Sequence, residues 1–286
     1  MTALMTTAFL AAQGGDASVT LPVTTTDLAV ASGLLLLHGV LSLVLGLGIG
    51  RDVLVAAVRM VVQLTLVGAV LTALFANGSP WLTGALALFM ILMAGREVTA
   101  RQARRLVGGW SYLVGTSAML FASLAVTLFA LGTALRPDPW YDPRYAVPLL
   151  GMILGNTLNG ISLGLHALTT GLERERPAVE ARLCLGATRW EATGHVARAA
   201  LRTGLMPVVN SMAASGVVAL PGMMTGQILG GTAPELAVRY QILVIFLIAG
   251  GTALGAVTAV GAGVARLTDE RHRLRLDRLS GGGEDG

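Results

Sequence analysis

Apolar residues in this chain come in long blocks separated by short polar segments. About seven blocks are long and uncharged enough to read as bilayer-crossing helices, near 27–50, 52–75, 80–95, 110–135, 146–170, 203–230 and 238–264, because a crossing needs about 20 apolar residues. The third is short before Arg96, and the sixth is interrupted by Pro207, Asn210, Ser211, Ser215, Pro221 and Gly222. The pattern predicts an all-α, polytopic transmembrane bundle of about seven spans.

Charge gives the bundle a direction. Arg51 follows the first block, Arg96, Arg101, Arg104 and Arg105 the third, and Arg174, Arg176, Arg182, Arg189, Arg198 and Arg202 the fifth. Arg266, Arg271, Arg273, Arg275 and Arg278 follow the seventh, so sixteen arginines fall on one side, against only Arg136 and Arg144 on the other. Positive loops stay in the cytoplasm, which predicts an external N-terminus, a cytoplasmic C-terminus and a multi-pass protein of the plasma (inner) membrane. Trp81, Trp110, Tyr112, Trp140, Tyr141, Tyr145 and Tyr240 fall near predicted span ends, as interfacial aromatics do. The expected division is an extracytoplasmic N-terminal extension at 1–26, a transmembrane domain at 27–267 with a cytoplasmic loop at 171–202, and a cytoplasmic tail at 268–286. That tail reads as a charged helix end running into a disordered tip. Met1 to Ala12 is apolar but short and lacks a positive n-region, so it reads as a frayed extension rather than a signal peptide.

Composition narrows the function. Hydrophobic residues make up 54% of the 286 and charged residues 13%, too few charges to cover a soluble surface. The 37 glycines suit close helix contact in a membrane. All 20 basic residues are Arg. Without a Lys there is no Walker A phosphate loop, so no cofactor is expected on this chain and any driving ATP must sit on a partner subunit. The single Cys184 excludes a multi-cysteine metal site. The net charge of +4 is arginine flanking the membrane, with no nucleic-acid partner implied.

The long polar segment has a definite shape. Pro177 suits a helix first turn, and Val179, Leu183, Gly186 or Ala187, and Trp190 recur at helical spacing to give one apolar face. Gly186 reads as a C-terminal stop, and Thr188 with Glu191 as the capping box of a second helix that leads into the sixth span. A helical elbow of this kind could push on a cytoplasmic partner; it could also lie on the bilayer surface.

Glu180-Ala181 followed by Gly186 resembles the EAA-type cytoplasmic loop of ABC permeases. The runs Arg59–Gly68, Pro148–Gly164, Asn210–Met212, Leu220–Gly230 and Arg239–Gln241 resemble the FetB-like iron-export permease family, whose plant relatives are aluminium-tolerance membrane proteins. The likeness runs from about Arg51 to about Ala262. It implies a permease homodimer in the lipid bilayer, served by a separate ABC ATPase that docks on Val179, Glu180, Leu183, Gly186, Ala187 and Trp190, and exporting iron or a similar metal.

Several residues could line a transport route. Pro221 lacks a backbone donor and would free the Val217 carbonyl, making either a broken-helix site or a packing kink. Met223, Met224 and Gln227 follow; methionine sulfur is a soft metal ligand, and also ordinary packing. On the fifth block, Gly151, Gly155, Asn159, Ser162 and His166 share a face, with Asn156 beside it; the two amides could bind metal or join helices. His166 reads as solvated near the cytoplasmic end and His38 as structural. Arg59 and Gln63 lie one turn apart within the second block, with Asn210 in the sixth. An intramembrane Arg would pair with a helix C-terminus, screen an anionic or chelated substrate, or snorkel. Ion-coupled carriers bury carboxylates, yet Asp27, Asp52, Glu97 and Glu235 all fall at span ends. A membrane enzyme would need a catalytic cluster that four scattered His and one Cys do not provide. The pattern predicts a transporter subunit rather than an enzyme.

Overall fold

Long apolar blocks must satisfy their own backbone hydrogen bonds in lipid, and the helix is the way a single segment can do so. The computed structural model describes residues 24–280, which are mostly helical. The elements are α1 (Thr25–Val44), α2 (Gly50–Asn77), α3 (Pro80–Ala100), α4 (Trp110–Phe129), α5 (Pro143–Arg174), α6 (Arg176–Cys184), α7 (Arg189–Ala214), α8 (Gly222–Leu229) and α9 (Pro234–Leu267). A π-helical turn, Ala130–Leu135, extends α4. The expected extension at 1–26 lies almost wholly outside the described residues, as does the 281–286 tip of the tail.

Six helices, rather than seven, are long and apolar enough to cross a bilayer among the described residues: α1 to α5, with α4 running through its π-turn, and α9. The predicted 203–230 span is not one helix. α7 starts much earlier, at Arg189, and ends at Ala214; residues 215–221 are non-helical, and α8 has only eight residues. The break lies upstream of Pro221. Ser215 turns to an extended backbone, and the Gly216 and Ala219 amide and carbonyl close a small turn at 2.9 Å. Pro221 precedes the first residue of α8, so it interrupts no helix and frees no helical carbonyl at Val217. Within this sixth block the proline inside a helix is Pro207, in α7.

The described chain forms two compact units, 24–77 with 222–238, and 78–221 with 239–280. In the first, α1 opens on a capping box: the Thr24 amide donates to Asp27 Oδ2 at 2.8 Å and the Asp27 amide to Thr24 Oγ1 at 3.3 Å. Its outward side chains are mostly Leu and Val, which suits lipid.

The second unit carries the main core. Ile91 and Val98 of α3, Met119 of α4, Ile161 and Leu168 of α5, and Val260 and Val264 of α9 are all buried. A close seam joins α5 and α7. A Cβ on Gly204 would stand 2.6 Å from the Gly160 carbonyl oxygen, and one on Gly160 would stand 3.1 Å from the Gly204 carbonyl oxygen. Only glycine allows the two backbones this close. The segment after α9, read from sequence as a charged helix end, instead folds back as a strap. The Arg275 amide donates to Leu267 O at 2.8 Å, the Val107 amide to Arg278 O at 2.9 Å, and the Ser280 amide to Arg105 O at 2.7 Å. Buried Leu279 and Leu106 pin the strap to the loop between α3 and α4.

The seam predicts a sharp contrast. Gly204→Leu overpacks it, costing about 1–3 kcal/mol, and lowers the thermal midpoint of the purified protein by several degrees. Gly155→Ala, where the added Cβ meets nothing within 4 Å, leaves the midpoint unchanged.

Candidate functional site

The elbow begins where α5 runs out. Glu175 caps α6, Pro177 occupies its first turn, and Gly186 ends it with φ +91°. Thr188 then starts α7: its hydroxyl and amide each donate to Glu191 Oε2 at 2.8 Å, and the Glu191 amide returns a bond to Thr188 Oγ1 at 3.4 Å. The helix, glycine turn and capping box expected from the sequence are all present.

A small network ties the elbow to α7. His195 Nε2 lies 2.7 Å from Glu175 Oε2, Arg182 Nη1 lies 2.7 Å from His195 Nδ1, and Arg174 donates to Glu175 Oε1 at 3.0 Å. The Arg174 guanidinium, then His195, hold the Glu175 carboxyl below its usual range. The Thr188 amide and hydroxyl do the same for Glu191. At the turn, the Arg189 amide donates to His272 Nδ1 of the strap at 3.1 Å.

The apolar face differs from the one expected. Val179 is fully buried in the chain's own core and Leu183 and Ala187 pack against that core, so these residues hold the elbow in place. The reason is geometric: α6 folds back beside α5 and α7, and its apolar side follows. Leu185, 88% exposed, and Trp190, 50% exposed, point outward instead. The Arg189 guanidinium lies 5.4 Å from the Trp190 ring. The sequence reading passed over Leu185 because it is out of phase with the helical face; its place between a helix end and a left-handed glycine was the available signal. Glu180 is partly exposed and bonded to Arg176 at 2.8 Å.

A cleft of about 390 Å³ opens between α3, α5 and α7, lined by Arg101, Asn159, Ser162, Leu163, His166 and Pro207. Arg101 Nη1 donates to Asn159 Oδ1 at 2.7 Å, and Nε lies 3.5 Å from Glu97. Beside it Gln102 Nε2 donates to the Ser162 carbonyl at 3.2 Å. Ser162 Oγ is buried and has no hydrogen-bond partner. From the sequence Arg101 reads only as a loop charge; Glu97 one helical turn earlier is the signal that it caps the end of α3.

Residues 25–268 match the model of the Uncharacterised protein family (UPF0014). The chain belongs to that family. UPF0014 membrane protein slr1647 of Synechocystis is 38% identical to it over 81% of this chain and 88% of its own. Protein ALUMINUM SENSITIVE 3 of Arabidopsis thaliana is 33% identical over 81% and 82%. The probable iron export permease protein FetB of Escherichia coli is 29% identical over 82% and 88%. No solved structure matches the chain.

In this UPF0014 chain the transport candidates divide between the two units. Asn159 faces the cleft, whereas exposed Asn156 donates back to Met152 O at 2.9 Å. Exposed Asn210 lies on α7 of the same unit. Met223, Met224 and Gln227 sit on α8 in the other unit, where Met224 is buried and Gln227 Oε1 is buried without a hydrogen-bond partner. Arg59 and Gln63 lie on α2 of that unit, both exposed. Among the described residues, no group of three His, Cys, Asp or Glu side chains gathers that could hold a metal ion.

The elbow's stiffness is testable. Gly186→Val forces a β-branched residue to positive φ, at a cost of roughly 1–2 kcal/mol, and exposes the elbow to limited proteolysis while leaving the spans intact. Glu175 and Glu191 have lowered native pKa values, so their stabilisation is complete above the ordinary glutamate value of 4.5 and is lost as pH falls through the lower native values. Protease resistance at the elbow therefore drops in acid below about pH 5, as these two carboxylates take up protons.

Proposed function

We propose that this UPF0014 protein is the permease subunit of an ABC-type exporter, that a separate chain hydrolyses the ATP, and that the cargo is a metal ion, iron first among the candidates. The observation that carries the reading is the elbow. Leu185 and Trp190 stand exposed on a segment otherwise pinned by a capping box and a buried Val179. An apolar pair held rigidly in water suits docking into a partner's groove. The partner's closure would then pass along α7, which is continuous from Arg189 to Ala214, to the α5–α7 seam.

Three further facts support it. The chain has no Lys with which to build its own phosphate loop. Its relatives include a protein named as a probable iron export permease and one named for aluminium sensitivity. The arginine asymmetry favours a cytoplasmic elbow, where an ATPase would meet it. A permease homodimer with two ATPase copies follows from the same reading. On α8, the buried Gln227 oxygen and the adjacent Met223 and Met224 remain candidates for the cargo's path.

Leu185→Asp and Trp190→Ala each leave the core untouched, since both side chains face outward. Each variant inserts normally but loses about tenfold or more in affinity for the ATPase, as a truncated interface anchor does, and metal efflux from vesicles falls in step. Normal ATPase binding and efflux in both would remove the elbow from coupling.

A further inference from the structure

The cleft between α3, α5 and α7 has a chemistry of its own. Its polar lining consists of Arg101, Asn159, Ser162 and His166, with no carboxylate among the lining residues. A guanidinium has five N–H donors. Arg101 commits one to Asn159 Oδ1 and turns Nε toward Glu97, which leaves donors for a ligand. Because Asn159 Oδ1 is taken by Arg101, that amide offers its Nδ2 hydrogens. The Ser162 hydroxyl, buried and unpartnered, is a further donor waiting for an acceptor. Leu163 and Pro207 supply the apolar wall.

A bare cation would meet the Arg101 guanidinium here, and the nearest oxygen, Asn159 Oδ1, is already bonded to that guanidinium, which leaves it only the Ser162 hydroxyl and the His166 imidazole. An oxyanion would meet the reverse: a charge-assisted donor able to bind two oxygens at once, flanked by an amide and hydroxyl. The location suits recognition, since Arg101 is the C-cap of α3, on the arginine-rich side of the protein.

We infer that this cleft binds a carboxylate- or phosphate-bearing anion, and that the exporter takes up its metal as an anionic complex rather than as a free cation. The inference rests on the exporter reading for the word metal, but the anion site stands on the cleft alone.

The test is equilibrium binding to the purified permease in lipid nanodiscs, without any ATPase, so a failure of the ABC reading cannot mask the result. Four labelled probes are compared: ferric citrate, citrate alone, inorganic phosphate and anaerobic ferrous ion. Wild type binds at least one of the three anions. Arg101→Gln weakens that binding about tenfold or more, and Arg101→Lys, which keeps the charge but loses the two-pronged donor, weakens it by less. Asn159→Asp is the decisive variant. It preserves and strengthens the contact to Arg101, so a purely structural contact survives, yet it places a negative charge in the cleft and also costs about tenfold or more. Preference for ferric citrate identifies the metal complex as cargo; equal binding of citrate or phosphate alone identifies the anion itself as the ligand and removes the metal from this site. Ferrous ion binding without any anion, or anion binding that Asn159→Asp leaves intact, overturns the proposal.

Discussion

The close passage of α5 over α7 at Gly160 and Gly204 is the constraint from which the rest of the second unit follows. Lipid offers no hydrophobic reward for joining helices, so the seam depends on backbone proximity and packing. With a Cβ on Gly204 only 2.6 Å from the Gly160 carbonyl, any larger residue would push the helices apart. That spacing sets the cleft's width, because Ser162, His166 and Pro207 lie within a turn or two of the seam. In the proposed exporter it would also set the path by which movement at the elbow reaches the membrane.

The elbow completes that path. Val179 anchors α6 in the core, the Glu175–His195–Arg182 network holds it to α7, and the capping box at Thr188 fixes where α7 begins. Motion applied to Leu185 or Trp190 is therefore passed to a helix rather than absorbed by a loop. The His272 contact at Arg189 ties the folded-back strap to the elbow, so the charged segment after α9 serves as structure as well as an orientation signal.

Local chemistry was the legible part of the sequence. The capping box and the left-handed Gly186 depend on residues within four positions of each other, and both are where the pattern put them. Long apolar blocks gave the helices, with ends shifted by a few residues. What depended on distant partners was harder to read. Val179 and Trp190 fit one helical face on paper, but α6 and α7 are separate helices joined by a turn, so one side chain points into the core and the other out. The sixth block is not one continuous helix for a related reason. Hydropathy cannot see that Ser215 leaves the helix, and Pro221 drew attention to a break that falls before it. Arg101 was hidden because its partner, Asn159, is 58 residues away.

Cys184, exposed beside the turn and the chain's single cysteine, provides a direct probe of the central claim. Inverted membrane vesicles carrying the chain and the proposed ATPase are treated with a short bifunctional maleimide, the ATPase bearing one cysteine beside the groove proposed to receive the elbow. The account predicts a covalent permease–ATPase pair, formed in inverted but not in right-side-out vesicles and lost when Leu185 is changed to Asp. A Cys184 that reacts from the outside, or that never joins the ATPase while the two subunits remain associated, would contradict it.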